Sequence, residues 1–209
     1  MSVYLPKSFV ARDEAAIARL VREHPFATLI TSTRDEPQVS HVPLLHSAEP
    51  SPHGSLIGHV ARANPHWQLF GGGTTLALFH GPHAYVSPSW YTEPAAMVPT
   101  WNYAVVHVRG GVELVTDREQ TLGIVRQLTE RFESSRSAPW ELQLTGAKLD
   151  AMLGAIVAFR MTIERVDAKF KLSQNRSAED QQRVIEALRS EGFAEAEATA
   201  EWMIGARSS

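Results

Sequence analysis

"SLIGHVARANPHW", residues 55–67, changes character halfway along. Its first part is apolar and includes the β-branched Ile57 and Val60, the composition of a strand. Asn64 is then a good N-cap, and Pro65 stands where the first helical residue would be, so a short helix is expected to begin there. A strand running into a capped helix leaves the first helical amides unpaired, with Arg62 one turn before them. Its planar fork of donors suits phosphate oxygens, and phosphate is the usual guest of such a place. A surface arginine preceding an ordinary capped helix fits the same spacing.

On the N-terminal side, Asp13 can cap a helix carrying Ile17, Leu20 and Val21 at helical spacing, closed by Pro25. "FATLITS" (26–32) and "QVSHVPLL" (38–45) read as the two strands of a hairpin, and 46–54 as a loop. On the C-terminal side, 74–88 is a strand with Gly81–Pro82 marking a bend or bulge, and 102–116 a strand bent around Gly110–Gly111. Thr116 and Glu119 have the spacing of a capping box, ahead of a helix with Leu122, Val125, Leu128 and Phe132 on one face. Residues 149–156 look helical, 158–166 alternate as a strand, and a helix starts at Ser177, docked by Val184, Ile185 and Leu188. A short final helix follows Gly192. The pattern is mainly β with α (α+β): an antiparallel barrel decorated by helices.

The bulk composition narrows the chemistry. A chain of 209 residues suits one domain and buries about 70% of the surface its unfolded form exposes. With no cysteine there is no disulfide, thiolate-held metal or thiol nucleophile. The N-terminus lacks a basic segment followed by an apolar one, and no apolar run reaches membrane-spanning length, so a cytoplasmic protein with no membrane partner is expected. Lys and Arg number 20 against 23 Asp and Glu, without the basic excess of a dedicated DNA-binding domain. The pair in "HGPH" (80–83), with His59 and His107, is the densest histidine group, but a Gly-Pro spacer does not set two imidazoles on one helix face, and no metal is expected. Neither a G-x-S-x-G elbow nor a G-x-G-x-x-G fingerprint occurs, and no residue stands out as catalytic.

Two further stretches are unusual. "SPSWYTEPAAMVPTWNY" (87–103) holds Trp90, Tyr91, Trp101 and Tyr103 among three prolines, so it is no helix face: it plugs the core or lines something flat. "KFKLSQNR" (169–176) puts Lys169, Lys171 and Arg176 beside Ser173, Gln174 and Asn175, either as a solvated loop or as part of a polar-ligand site. Aromatic planes, an anion site and polar donors together suit a ligand flat at one end and phosphorylated at the other, such as flavin mononucleotide (FMN).

"PFATLIT", "GHVARANPHW", "GPHAYVSPSWY", "VPTWNYAVVHV" and "KLSQNR", in this order, resemble the PaiB family of FMN-binding negative transcriptional regulators. The resemblance runs from about residue 5 to 188 and implies a split β-barrel of antiparallel strands like that of pyridoxamine-phosphate oxidases. It implies a homodimer with FMN at the interface. By that likeness Ser40, His41 and Val42 follow the flavin edge, while His59, Ala61, Arg62 and Asn64 stand at the phosphate. Trp90, Tyr91 and Trp101 line the ring or the dimer seam, and Lys171, Gln174, Asn175 and Arg176 close the pocket from the other subunit. The division expected is a split barrel over 1–176 and a helical extension packed on it over 177–209. The family implies a transcriptional regulator, with DNA or another regulator as partner. An FMN-dependent oxidoreductase and a haem-handling protein are the alternatives.

Overall fold

The computed structural model describes residues 3–47 and 53–207, so the loop expected over 46–54 lies partly outside it. In chain order the elements are α1 (Glu14–Glu23), β1 (Phe26–Thr31), β2 (Gln38–Pro43), β3 (Leu45–Ser47), β4 (Ser55–Ala61), β5 (Thr74–Val86), β6 (Thr100–Val115), α2 (Arg118–Glu133), α3 (Gly146–Gly154), β7 (Ile156–Thr162), β8 (Arg165–Lys171), α4 (Ala178–Ser190) and α5 (Ala194–Arg207). Short 3-10 turns occupy Pro65–Leu69, Pro88–Trp90 and Pro94–Ala96, each started by a proline that fixes φ where the missing N–H costs nothing. The strands follow the order β2-β1-β5-β6-β7-β4-β3, with β8 against β6, and the path does not close on itself.

The chain divides into two compact units. Residues 1–24, 79–107 and 167–209 make the first; 25–78 and 108–166 make the second. β5 and β6 each contribute residues to both units, β5 dividing after Leu78 and β6 after His107.

In the second unit β1 and β2 form the expected hairpin, Thr31 opposite Gln38 and Phe26 opposite Pro43. β4 pairs antiparallel with β7 along its whole length, from Ser55 opposite Thr162 to Ala61 opposite Ile156. One face of that pair carries Leu56, Val60, Phe159 and Met161, all buried. Gly58 lies between them because a Cβ there would stand 2.8 Å from Leu44 Cδ2 and 3.0 Å from the Pro43 carbonyl. The other face carries Ile57 and Ala158, which pack under Ile124 and Leu128 of α2, while Leu122 joins Leu149 and Leu153 of α3.

The first unit buries Leu20 of α1, Phe79 and Val86 of β5, Ala104 and Val106 of β6, and Val184, Ile185 and Leu188 of α4. From α5, Trp202 meets Phe170 edge-on at 5.3 Å while the Arg19 guanidinium lies 4.9 Å above its ring.

β5 runs on through Gly81–Pro82, where both residues are buried and the in-out alternation shifts by one, the mark of the expected bulge. Its glycine also serves close approach, since a Cβ there would meet Leu20 Cδ1 at 2.8 Å and the Ala104 carbonyl at 3.0 Å. Two expectations are corrected. The cap of α2 is Asp117, whose carboxylate accepts from Gln120 N at 2.8 Å, and Glu119 pairs with Arg118 rather than reaching back to Thr116. The strand expected over 158–166 is two strands, because the chain turns at Glu164, whose N–H donates to the Arg109 carbonyl at 2.9 Å. Lys169 and Lys171 therefore stand on a strand and not in a loop.

Candidate functional site

The residues singled out from the sequence fall into both units. In the second, the end of β4 is organised by hydrogen bonds. Asn64 caps the following turn, Oδ1 accepting from His66 N at 3.0 Å, while its Nδ2 donates to Ser40 Oγ at 2.9 Å. That turn is a 3-10 helix of five residues, so its first amide is already satisfied by the cap. Arg62 is exposed, and its fork is partly committed: Nε donates to the Gly154 carbonyl and Nη2 to the Ile156 carbonyl at 2.8 Å. Its backbone N–H donates to Ala155 O at 2.8 Å, and its own carbonyl accepts from Trp67 Nε1 at 3.0 Å. Arg62 thus ties the C-terminal end of α3 to β4, where a cation also suits the helix dipole. Its Nη1 group has no hydrogen-bond partner among the described residues.

Ser40 is buried and Val42 with it, both on the inner side of β2. His41 faces outward, its Nδ1 3.1 Å from Thr28 Oγ1 and its ring stacked on the exposed Phe26 at 6.3 Å. Ala61 is exposed at the strand end. His59 lies on the Ile57 face of β4, half-buried, and its Nδ1 has no hydrogen-bond partner among the described residues. Burial holds its pKa below the ordinary histidine value.

His66 was not foreseen. It is 0% exposed, with Nδ1 2.8 Å from Ser40 Oγ and Nε2 2.9 Å from Thr31 Oγ1, which lies 2.7 Å from Thr75 Oγ1. One buried chain of polar groups therefore joins Asn64, Ser40, His66, Thr31 and Thr75. Burial lowers the His66 pKa as well, so the ring is neutral at pH 7, one nitrogen donating and the other accepting. In the sequence it is one histidine of nine, and its partners lie 26 and 35 residues away.

In the first unit the aromatic segment is divided between core and surface. Tyr91 plugs the core at 1% exposure, under the Arg176 guanidinium at 5.1 Å, and its hydroxyl has no partner among the described residues. Trp101 is 53% exposed, flanked by His83 at 6.1 Å and Tyr85 at 6.3 Å. Trp90 is half-buried, its carbonyl accepting from Arg183 Nε at 2.9 Å.

The segment from Lys171 to Arg176 is a tight, self-locked turn. Gln174 uses its own side chain to hold it, Oε1 accepting from Leu172 N at 2.7 Å and Nε2 donating to Phe170 O at 2.6 Å. Ser173 has φ 66°, a left-handed conformation rare outside glycine, and is held there through Asn102, whose Nδ2 donates to Ser173 Oγ at 2.9 Å. Asn175 is exposed at the tip. Arg176 N donates to Ser173 O at 2.9 Å, and its Nη1 lies 3.1 Å from Met97 Sδ. Lys171 Nζ donates to Thr100 Oγ1 at 2.6 Å and to the Trp101 carbonyl. Burial, then the charges of Lys169 and Arg176, push the Lys171 pKa down.

Each unit carries groups of a kind that a flavin nucleotide uses. Such a ligand needs hydrogen bonds to its ring edge and ribityl hydroxyls, a flat partner for the ring, and cations for the phosphate. The buried polar atoms of His59 and Tyr91 that lack partners, the exposed Trp101 ring and the cations of β8 and its turn are of those kinds.

The family described as "Putative FMN-binding domain" matches residues 3–165. The chain is 35% identical over 204 residues to "Protease synthase and sporulation protein PAI 2" of Bacillus subtilis, covering 96% of both chains. It is 29% identical over 230 residues to the uncharacterized protein AN0679 of Emericella nidulans, covering 91% of this chain and 92% of that one. Among solved structures, the FAD and heme binding protein from Mycobacterium smegmatis superposes with TM-score 0.61 at 17% identity, covering 88% of this chain and 80% of that one. The flavocytochrome Anf3 from Azotobacter vinelandii also gives TM-score 0.61, at 15% identity, covering 78% and 69%. At these identities the structures speak for the fold alone, and that fold is the split barrel. The match over most of the sequence says more: the chain belongs to the PaiB-type family of FMN-binding split-barrel proteins, and its cofactor is FMN.

Proposed function

We propose that the chain acts in the cytoplasm as a homodimeric negative regulator of transcription, with one FMN per chain at sites shared between two copies. The observation that carries the shared site is the exposed aromatic face of the first unit. Trp101 and Tyr85 keep 53% and 45% of their surface open on a sheet, where a lone protein in water would bury or replace them. In this reading Ser40, His41 and Val42 follow the ring edge and His59, Ala61, Arg62 and Asn64 surround the phosphate. Trp90, Tyr91, Trp101, Lys171, Gln174, Asn175 and Arg176 come from the other copy. Residues 1–176 make the barrel, and 177–209 are a helical extension of it. FMN supplies a ring that accepts one or two electrons; the protein's own groups bind and orient it. The regulatory part is supported by the 35% identity to a relative named for protease synthesis and sporulation. No helix among the described residues is long and apolar enough to cross a membrane.

A formal charge of −3 leaves few cations for displacing counterions, so direct DNA binding is expected to be weak and lost by physiological salt, with regulation exerted through another protein. Titration with FMN, light scattering and a gel shift test the reading together. One FMN per chain, a dimer mass and no DNA complex at physiological salt are expected. A monomer that binds FMN tightly would sink the shared site. Bleaching of the bound flavin by a reduced nicotinamide would replace the regulator with an oxidoreductase.

A further inference from the structure

β8 carries Lys169 and Lys171 two residues apart, hence on one face. Trp101 and Tyr103 share a face of β6 for the same reason, and the contacts show that these faces are one: Lys169 Nζ lies 5.3 Å from the Tyr103 ring, and Lys171 Nζ donates to the Trp101 carbonyl. His83 and Tyr85 of β5 extend it through their contacts with Trp101. The result is an exposed aromatic shelf with two ammonium groups at its edge, all within the first unit.

The cations are incompletely partnered. Lys169 is only 7% exposed, yet its Nζ is held by two tyrosine faces, Tyr4 and Tyr103, each at 5.3 Å. Lys171 Nζ has Phe9 at 6.0 Å and two neutral oxygens. Arg176 supplies a third positive charge close enough to act on Lys171, and its fork covers the Tyr91 ring. Among the described residues none of the three has a carboxylate within ion-pair distance. Asp180, whose carboxylate is held charged by Thr92 and also by Arg176, accepts at Oδ1 from Thr92 N at 2.9 Å and Thr92 Oγ1 at 3.0 Å, so Arg176 is the one cation of the three with an acid acting on it. Asp167 precedes Lys169 on the same face of β8, buried and already engaged. Lys169 and Lys171 therefore repel each other beside aromatic rings and neutral oxygens, and an anion joining them would relieve that repulsion.

We propose that this face binds an oxyanion, a phosphate or a carboxylate, at Lys169 and Lys171 with Arg176 as the third cation, and holds the flat ring carrying it against Trp101. The anion has two sources of the same chemistry: the phosphate of the flavin itself, which in the shared site proposed above would meet these cations and the other copy's Arg62 together, or a second aromatic small molecule bearing an acidic group. Only the first of these rests on the flavin reading.

Phenyl phosphate, with phenol and inorganic phosphate as its two halves, separates the sources. Binding to flavin-free and FMN-loaded protein is followed by calorimetry, and FMN and riboflavin are titrated by flavin fluorescence. Phenyl phosphate is expected to bind more tightly than either half. The double variant Lys169→Gln/Lys171→Gln is expected to weaken it about 10- to 100-fold, the size of a lost charge-assisted contact. Lys169→Arg/Lys171→Arg keeps the charge and should retain most of the affinity, which separates the anion's role from packing of the lysine stems.

If FMN loading abolishes phenyl phosphate binding, and the double glutamine variant loses FMN but not riboflavin, the anion is the cofactor's own. If the FMN-loaded protein still binds phenyl phosphate, it is a second molecule's. Binding of phenyl phosphate by a chain that takes no FMN would support this site while removing the flavin reading. Phenyl phosphate binding no better than phenol, with FMN affinity unchanged in the double variant, overturns the proposal.

Discussion

Gly110→Ala is expected to lower the melting temperature by roughly 6–20 °C, the consequence of about 3–5 kcal/mol in a chain of this length. β6 passes so close to the end of β7 that a Cβ at residue 110 would land on the Thr162 carbonyl oxygen and 2.9 Å from its carbon. The obstacle is backbone, which cannot rotate away as a side chain can. Moving it strains the pairing of Val112 with Met161 and the bond from Glu164 N to the Arg109 carbonyl that closes the turn into β8. The neighbouring glycine is the control. At Gly111 the nearest atom to an added Cβ is Glu164 Oε1 at 3.6 Å, an ordinary contact, so Gly111→Ala should cost no more than about 1 kcal/mol. Thermal or urea unfolding of the two variants checks this, and a Gly110→Ala protein melting within 2 °C of the parent, by the resolution of ordinary melts, would show that the approach is not that close.

His66→Leu is expected to cost about 2–4 kcal/mol, because it removes two buried hydrogen bonds and leaves Ser40 and Thr31 with fewer partners. It should also change how stability responds to acid. Burial lowers the His66 pKa in the folded state, so the unfolded chain binds the proton more readily. Stability from this group is therefore complete above the unfolded value, near pH 6.5, and falls as the pH drops below it. Its slope reaches at most about 1.4 kcal/mol per pH unit for one histidine. His24 and His59 are lowered by burial too and add in the same direction. Urea unfolding between pH 5 and 8 should show the parent losing stability below about pH 6.5 and the variant losing less. Parallel profiles for the two proteins would mean that His66 does not titrate as a buried ring.

What the sequence could reveal depended on the distance over which each feature is determined. The start at Asn64–Pro65 was readable because a cap and a proline act on their immediate neighbours. The length of that turn was not, since its amide is taken by the cap and its histidine by strands far away. The hairpin of β1 and β2 followed from its alternation, whereas the glycine pair at 110–111 was read as a bend when one member is there for the passage of another strand. "KFKLSQNR" was ambiguous for a physical reason. Lysines alternating with Phe170 have the period of a strand and the polarity of a loop, and only pairing with β6, far earlier in the chain, decides between them. Nothing local to Lys169 shows that its charge is covered by tyrosines.

The way the chain is shared between the two units also governs how it can be made. The first unit needs residues 1–24 together with 167–209, segments far apart along the chain, so on the ribosome it cannot close before the later of them has been made. The second unit has all its residues by position 166 and can assemble first. The N-terminal segment, with Leu20 destined for the core, must meanwhile wait unprotected. The cations of β8 therefore reach their aromatic shelf only after every residue of the second unit has been made.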